Sequence, residues 1–177
     1  MPYQAAIQGW HDFYLVAGGA SATLVGLLFV GLSLHLRTVV SRPEVRSLAR
    51  ATLTNFVLVV LVALFILIPQ GAPGFGQELI FSGVISGFIV APSLAAAARS
   101  HTRTLRVIQL VMRFGISVGG YAGVVVAGAL VISGAFLAAL GWLSAVSIVL
   151  LAISLRNSWD LLVSVGEATM GEKQAGR

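Results

Sequence analysis

The sequence predicts an all-α membrane protein, a bundle of five transmembrane helices. Its mean hydropathy is +0.97, and 58% of its residues are hydrophobic whereas only 10% are charged. A soluble globule of that composition would lack the polar residues needed to cover its surface. Several apolar stretches approach the length of about 20 residues with which an α-helix crosses a hydrocarbon core about 30 Å thick. We therefore expect nearly the whole chain to lie in the membrane.

Charged residues divide the chain into one membrane domain, residues 13–155, between two more polar ends. Residues 1–12 are expected to be an external N-terminal segment. The five predicted spans are residues 13–36, 51–68, 79–98, 114–132 and 136–155. The last two, read as a single helix, would far exceed the thickness of a bilayer. A tight hairpin at Ser133 and Gly134 is therefore predicted between them.

Basic residues indicate the orientation of these spans. Every Lys and Arg of the chain follows span one, three or five: Arg37, Arg42, Arg46, Arg50, Arg99, Arg103, Arg106, Arg113, Arg156, Lys173 and Arg177. Because cytoplasmic loops collect Lys and Arg, we expect the N-terminus outside and the C-terminus in the cytoplasm. Anionic headgroups of the cytoplasmic leaflet attract residues so placed, so the net charge of +5 predicts a lipid partner and no nucleic acid.

Residue types that carry metal or covalent chemistry are scarce. The chain has no cysteine, and His11, His35 and His101 occur in different segments, with no spacing that places two on one helix face. All Asp and Glu residues lie at or beyond the predicted span ends, whereas ion-coupled transporters usually keep a carboxylate within the membrane. We expect no catalytic residue, no metal site and no cofactor.

Small residues recur every four positions on three of the predicted spans. Such a column leaves a flat groove on one helix face, and close approach through small residues is the main way in which apolar helices associate in lipid. The predicted helix-packing residues are Gly18, Ala22, Gly26, Gly83, Gly87, Ala91, Gly115, Gly119 and Gly123. Contacts within the chain are the favoured interpretation, and contacts between copies or a pore lining are the alternatives.

Span two, with the sequence FVLVVLVALFILI, has no glycine in its apolar run and is expected to face lipid around the bundle. Its exception is Asn55, whose amide must find a hydrogen-bond partner in a low dielectric. His35, Thr52 and Thr54 have a similar predicted depth and are the candidate partners. Tyr121, in the glycine-rich part of span four, needs a partner for the same reason. An interhelical hydrogen bond is the favoured role, and a water-filled path is the alternative.

Prolines and polar residues mark the expected ends of the helices. The sequence SRPE at residues 41–44 matches a capping box and predicts a helix that starts near Pro43. Residues 70–77, QGAPGFGQ, are expected to form an outer turn. Pro92 lies inside span three and is predicted to kink it. Residues 156–177 are expected to form a cytoplasmic interfacial helix followed by a disordered tail.

Two stretches, WHDFYLVAGGASATLVGLLFVGLSLHLR at residues 10–37 and RNSWDLLV at residues 156–163, resemble a set of small uncharacterised bacterial multi-pass membrane proteins. The resemblance implies a bacterial plasma (inner) membrane and carries no activity or functional residue. Two functions remain as hypotheses. The first is a noncatalytic scaffold or accessory subunit that associates with its own copies or with another membrane protein. The alternative is a small oligomeric ion or solute channel built between protomers.

Overall fold

Helices account for nearly all of the protein that the computed structural model describes, residues 3–34, 36–41, 43–99 and 104–175. They are α1 (Tyr3–Ser33), α2 (Leu36–Ser41), α3 (Pro43–Leu67), α4 (Ala72–Arg99), α5 (Thr104–Ile132) and α6 (Phe136–Ala175). All except α2 are long and apolar enough to cross a membrane. A helix suits that environment because it satisfies its own backbone polar groups. The predicted all-α fold with five candidate spans is confirmed.

Several helices extend beyond the spans that hydropathy predicts. α1 starts at Tyr3, so most of the predicted N-terminal segment belongs to it. α4 starts at Ala72, which places most of the predicted outer turn in a helix. Pro73 is tolerated there because the first turn of a helix needs no N–H donor. Hydropathy locates the apolar part of a helix, whereas a helix ends where its backbone hydrogen bonds end.

The C-terminal segment is continuous with the last span. α6 runs from Phe136 to Ala175 as one helix of 40 residues, which includes residues 156–175. The interfacial location and the disordered tail expected for residues 156–177 stay predictions. The helix length of about 60 Å is twice the thickness of a hydrocarbon core. α6 therefore projects well beyond the end of the bundle at which its second half lies.

The predicted hairpin between α5 and α6 is confirmed, and it is built on a Schellman motif. Ala135 N donates to Leu130 O over 3.0 Å, and Gly134 N donates to Val131 O over 3.1 Å. Gly134 has a φ of +86°, the left-handed conformation that such a helix end requires. Glycine adopts it without the steric penalty of a Cβ atom. The turn is thus encoded by one residue.

α3 lies at the centre of the bundle. It packs against α1, α4 and α6, and to a smaller extent against α5. Phe56, Leu58, Val59 and Val62 of this helix are at most 1% exposed. The expectation that span two faces lipid is therefore wrong. Bulky side chains suit the centre because it must be filled to the density of a protein interior, whereas small residues suit the places where two backbones cross closely.

The two ends of the bundle differ in charge. The end of α1, the start of α3, the end of α4, the start of α5 and the second half of α6 lie at one end of the bundle. We call it the basic end, because the Lys and Arg residues within the described ranges lie towards it. α3 starts at Pro43 at this end, as the capping box predicts. The other two connections, residues 68–71 and 133–135, lie at the opposite end.

The central position of α3 predicts unequal effects of the same substitution at two of its valines. Val59 is 1% exposed and Val57 is 45% exposed. Val59→Ala should lower the free energy of unfolding by about 1–2 kcal/mol, because it leaves a cavity that the neighbouring helices fill only in part. Val57→Ala should change it by less than about 0.5 kcal/mol. Thermal unfolding in mild detergent measures both. Equal effects would place the two valines in similar surroundings and contradict a central α3.

Candidate functional site

Three buried polar side chains, Asn55, Ser117 and Tyr121, form a hydrogen-bonded group that we call the polar cluster. Tyr121 Oη donates to Asn55 Oδ1 over 2.6 Å, and Asn55 Nδ2 donates to Ser117 Oγ over 3.0 Å. All three residues are at most 2% exposed. Both the oxygen and the nitrogen of the amide are therefore bonded, as burial in a low dielectric requires.

The helices place these groups together for simple reasons. Ser117 and Tyr121 are four residues apart on α5, so both side chains lie on the face that meets the centre of the bundle. Asn55 lies about 18 Å along α3 from Pro43, at 1.5 Å per residue. The cluster is therefore deep in the bundle, because α3 starts earlier than the predicted span. A tyrosine is long enough to reach α3 from a helix that otherwise touches it only slightly.

Asn55 and Tyr121, the two buried polar candidates from the sequence, are thus partners of each other. The threonines expected to bond Asn55 instead donate to carbonyls of their own helix: Thr52 Oγ1 to Leu48 O and Thr54 Oγ1 to Arg50 O, both over 2.9 Å. The pairing of Asn55 with these threonines is therefore wrong. His35 lies outside the described residues. Sequence alone offered no signal for Ser117, since a serine on a glycine-rich helix is ordinary.

Other buried polar groups link α1 to its neighbours or lack a partner. Ser21 Oγ donates to Phe56 O of α3 over 2.9 Å, and Tyr14 Oη donates to Leu140 O of α6 over 3.4 Å. On α6, Ser154 Oγ and Asn157 Oδ1 are buried and have no hydrogen-bond partner among the described residues. The buried hydrogen bonds of α1 thus connect it to both α3 and α6.

The nine predicted helix-packing residues lie on two kinds of surface. Gly18, Gly83 and Gly123 lie at helix contacts, where an added Cβ would come within 2.6 to 2.8 Å of Ala63, Val125 and Val146 respectively. Ala22 and Ala91 are exposed. At the remaining glycines an added Cβ would meet no neighbouring helix of the described chain within 4 Å: Gly26, Gly87, Gly115 and Gly119. Each predicted column therefore touches another helix of the chain at only part of its length.

The closest backbone approaches involve glycines outside the predicted columns. A Cβ on Gly128 of α5 would lie 2.6 Å from Gly76 O of α4, and one on Gly76 would lie 2.9 Å from Gly128 O. A Cβ on Gly120 would lie 2.5 Å from Leu150 Cδ2 of α6. Gly120 and Gly128 are eight residues apart on α5 and contact α6 and α4 respectively. That spacing was visible in the sequence, but Gly76 was hidden in the predicted turn.

Pro92 lies inside α4, and the helix continues past it to Arg99. Its ring nitrogen has no hydrogen to donate to Phe88 O, four residues earlier. Pro92 itself is exposed, so the weakened turn lies on the outside of the bundle. The kink expected there stays a prediction.

A groove opens on the side of the bundle between α1 and α4, with α3 as its floor. We call it the lateral groove, and its volume is about 760 Å³. Its walls are formed by apolar residues such as Phe29, Val57 and Phe81. Arg46 and Arg50 line it towards the basic end, and Glu78 lines it towards the opposite end, where Gln70 Nε2 donates to Glu78 Oε2 over 2.7 Å.

The fold and these sites define a multi-pass helical membrane protein with five candidate transmembrane helices. No protein-family model, curated protein or solved structure matches the chain. The polar cluster, the glycine contacts and the lateral groove are therefore interpreted from their own geometry and chemistry.

The polar cluster predicts a difference between two buried tyrosines. Tyr121→Phe should lower the free energy of unfolding by about 1–2 kcal/mol, because it removes a short bond and leaves Asn55 Oδ1 without a donor. Tyr14→Phe removes a long bond to Leu140 O and a hydrogen bond with Ser147, but both partners keep other bonds within α6, so a change below about 0.5 kcal/mol is expected. Thermal unfolding in detergent measures both changes. A Tyr121→Phe protein as stable as the Tyr14→Phe protein would show that the cluster contributes little.

Proposed function

We propose that this protein is a noncatalytic membrane scaffold or accessory subunit, which acts by associating laterally with another protein in the bilayer. The observation that carries the proposal is the distribution of glycines on α5. Gly120, Gly123 and Gly128 point into the bundle and have close neighbours, whereas Gly115 and Gly119 point outwards. Gly115 and Gly119 thus continue the column of Gly123 beyond its contact with α6, and the chain itself leaves that part of the column open.

The outward glycines are unfavourable for the isolated chain. A glycine inside a helix costs about 1 kcal/mol relative to alanine, and close packing against another backbone is the usual compensation. Gly115 and Gly119 are four residues apart, so they form a flat strip one turn long. Gly87 of α4 is also open, and the antiparallel packing of α4 on α5, in which a Cβ on Gly83 would lie 2.9 Å from Tyr121 O, gives it a depth similar to that of the strip. Open glycines therefore occur at a similar depth on two adjacent helices.

A second copy of the chain is the partner that we test. A flat strip is self-complementary, so two copies related by a twofold axis bury the same strip on each other. A different membrane protein with a small-residue face is the accessory-subunit form of the same proposal. Both forms need a neighbour in the bilayer and no reactive group, which agrees with the scarcity of chemistry-bearing residues in the sequence.

The channel alternative has less support. Asn55 and Tyr121, the polar residues that would line a path, bond to each other and to Ser117 and are almost fully buried. A channel would have to form between protomers, and the outward strip offers glycine rather than the polar or charged rings that select ions. Liposomes containing the wild-type protein should therefore conduct no common ion above protein-free controls.

We also propose that the protein lies in the plasma membrane, as the sequence resemblance implies. The basic end favours a topology with the N-terminus outside and the C-terminus in the cytoplasm. A reporter that is active only in the cytoplasm should give a signal when fused after Arg177. It should give none when fused after Gly71 or Gly134, which lie in the connections at the opposite end. A signal from the Gly71 and Gly134 fusions, with none from the Arg177 fusion, would show that the orientation is the opposite one.

The scaffold proposal predicts opposite effects of one substitution at two glycines of α5. Gly119→Leu should abolish self-association in vesicles, measured by energy transfer between labelled copies, because a bulky side chain separates the two strips. It should leave the thermal unfolding of the dissociated protein in detergent unchanged or slightly raised, because leucine is the better helix former. Gly128→Leu should lower that unfolding temperature, because Gly76 O lies where its Cβ would be placed.

These outcomes separate association from folding. Wild-type protein that remains monomeric in vesicles would exclude the form of the proposal that relies on a second copy. Self-association that survives Gly119→Leu would show that another face carries the contact. A loss of folding caused by Gly119→Leu would mean that the strip is used within the chain.

A further inference from the structure

The lateral groove is a gap in the layer of helices around α3. α1, α4, α5 and α6 surround the central helix, but α1 and α4 are not among the pairs that pack extensively. The gap exposes one side of α3 along Arg50, Thr54, Val57, Leu61 and Phe65, which recur every three to four residues and line the groove. From Arg50 to Phe65 this stripe is about 22 Å long, at 1.5 Å per residue.

The groove is apolar along this stripe and charged at the basic end. Phe81, Ile85 and Ile89 of α4 form one wall, and Phe29 and Leu32 of α1 contribute to the other. The apolar lining residues of α3 extend from Leu53 to Phe65 over about 18 Å, which exceeds one leaflet of a hydrocarbon core, about 15 Å deep. An acyl chain entering from the basic end therefore remains in contact with apolar side chains over its whole depth in its leaflet.

Arg46 and Arg50 give the groove a preference for negative charge. They are four residues apart on α3, so both guanidinium groups lie on the same face as the groove. Both residues are exposed, and the ion pair found among the described residues joins His11 and Asp12 instead. Arginine donors match phosphate oxygens in geometry as well as in charge. These two residues lie in the first two turns of α3, where a helix meets the headgroup layer.

We infer that the lateral groove binds an anionic phospholipid, with its phosphate at Arg46 and Arg50 and one acyl chain along Val57 and Leu61. The chemistry of the groove favours a phospholipid over an apolar protein helix. Two arginines lie at one end of an apolar stripe, and a phosphate followed by an acyl chain matches these two parts in the same order. This site is separate from the outward glycine strip, so its failure and that of the scaffold proposal are distinguishable.

Native mass spectrometry of the full chain tests the site by counting retained lipids. The protein is titrated in detergent with phosphatidylglycerol and, separately, with phosphatidylcholine of the same chains. One phosphatidylglycerol should be retained at least about tenfold more tightly than phosphatidylcholine, because two arginines attract its net negative charge. Arg46→Gln/Arg50→Gln should abolish that preference.

Two further variants separate a fitted groove from diffuse attraction to the basic end. Val57→Trp fills the groove without a change of charge, and it should lower the affinity for phosphatidylglycerol at least about fivefold, since the chain loses its place. Ile148→Trp is its control, because Ile148 is exposed on α6 outside the lateral groove. Arg156→Gln removes a charge from α6 and should reduce the affinity less than Arg50→Gln does. Arg156 lines a different groove, between α1 and α6.

The results divide cleanly. The site is supported if Val57→Trp loses the tightly bound phosphatidylglycerol and Ile148→Trp retains it. This result holds even if the double arginine variant fails to fold. Equal losses in Arg50→Gln and Arg156→Gln, with no loss in Val57→Trp, would mean diffuse attraction and overturn it. Equal affinity of the wild type for both lipids would also overturn it. If a copy of the chain occupied the groove instead, Val57→Trp would abolish self-association and leave lipid retention unchanged.

Discussion

Close contact between helices is the constraint on which this bundle depends. In lipid no hydrophobic effect drives apolar helices together, so their association relies on van der Waals packing. The chain meets this constraint in two ways. Bulky residues of α3 fill the centre, where four helices converge. Around that centre, α4 and α5 approach through Gly76 and Gly128 until each backbone nearly touches the other. The absence of glycine from the apolar part of α3 and its abundance on α5 are two consequences of the same requirement.

The polar cluster connects α5 to α3, two helices that pack against each other only slightly. α5 lies against α4 and α6 but touches α3 only slightly, so dispersion forces hold it weakly to the central helix. The bonds from Tyr121 to Asn55 and from Asn55 to Ser117 connect these two helices directly. A buried amide with only one arrangement of bonded partners also fixes the rotation of both helices about their axes. The cluster therefore specifies which face of α5 turns inwards and, as a result, which of its glycines remain outside.

Sequence predicted the number of spans well because it depends on apolar length and on charge, which are properties of single segments. The α5–α6 hairpin was also predictable, because Gly134 alone supplies the conformation that the turn needs. The helix faces that point into the bundle were not predictable. A side chain that faces lipid is as apolar as one that faces another helix, so the hydropathy of α3 could not show that it lies in the centre. Glycine columns did not show which helix they contact, for a similar reason. Gly119 and Gly120 are neighbours in the sequence, but Gly120 faces α6 and Gly119 faces outwards.

The central position of α3 also explains why the lateral groove has its chemical character. A surface helix turns its charged first turns towards water, whereas α3 is enclosed on most sides and can present Arg46 and Arg50 only where the surrounding layer is open. That opening lies between α1 and α4, and it continues along the apolar stripe to Phe65. The groove thus has positive charge at the headgroup layer and an apolar surface below it. A phospholipid has its phosphate and its acyl chains in the same order. The groove and the position of the two arginines thus have the same structural cause. The bundle has too few helices to enclose α3 completely.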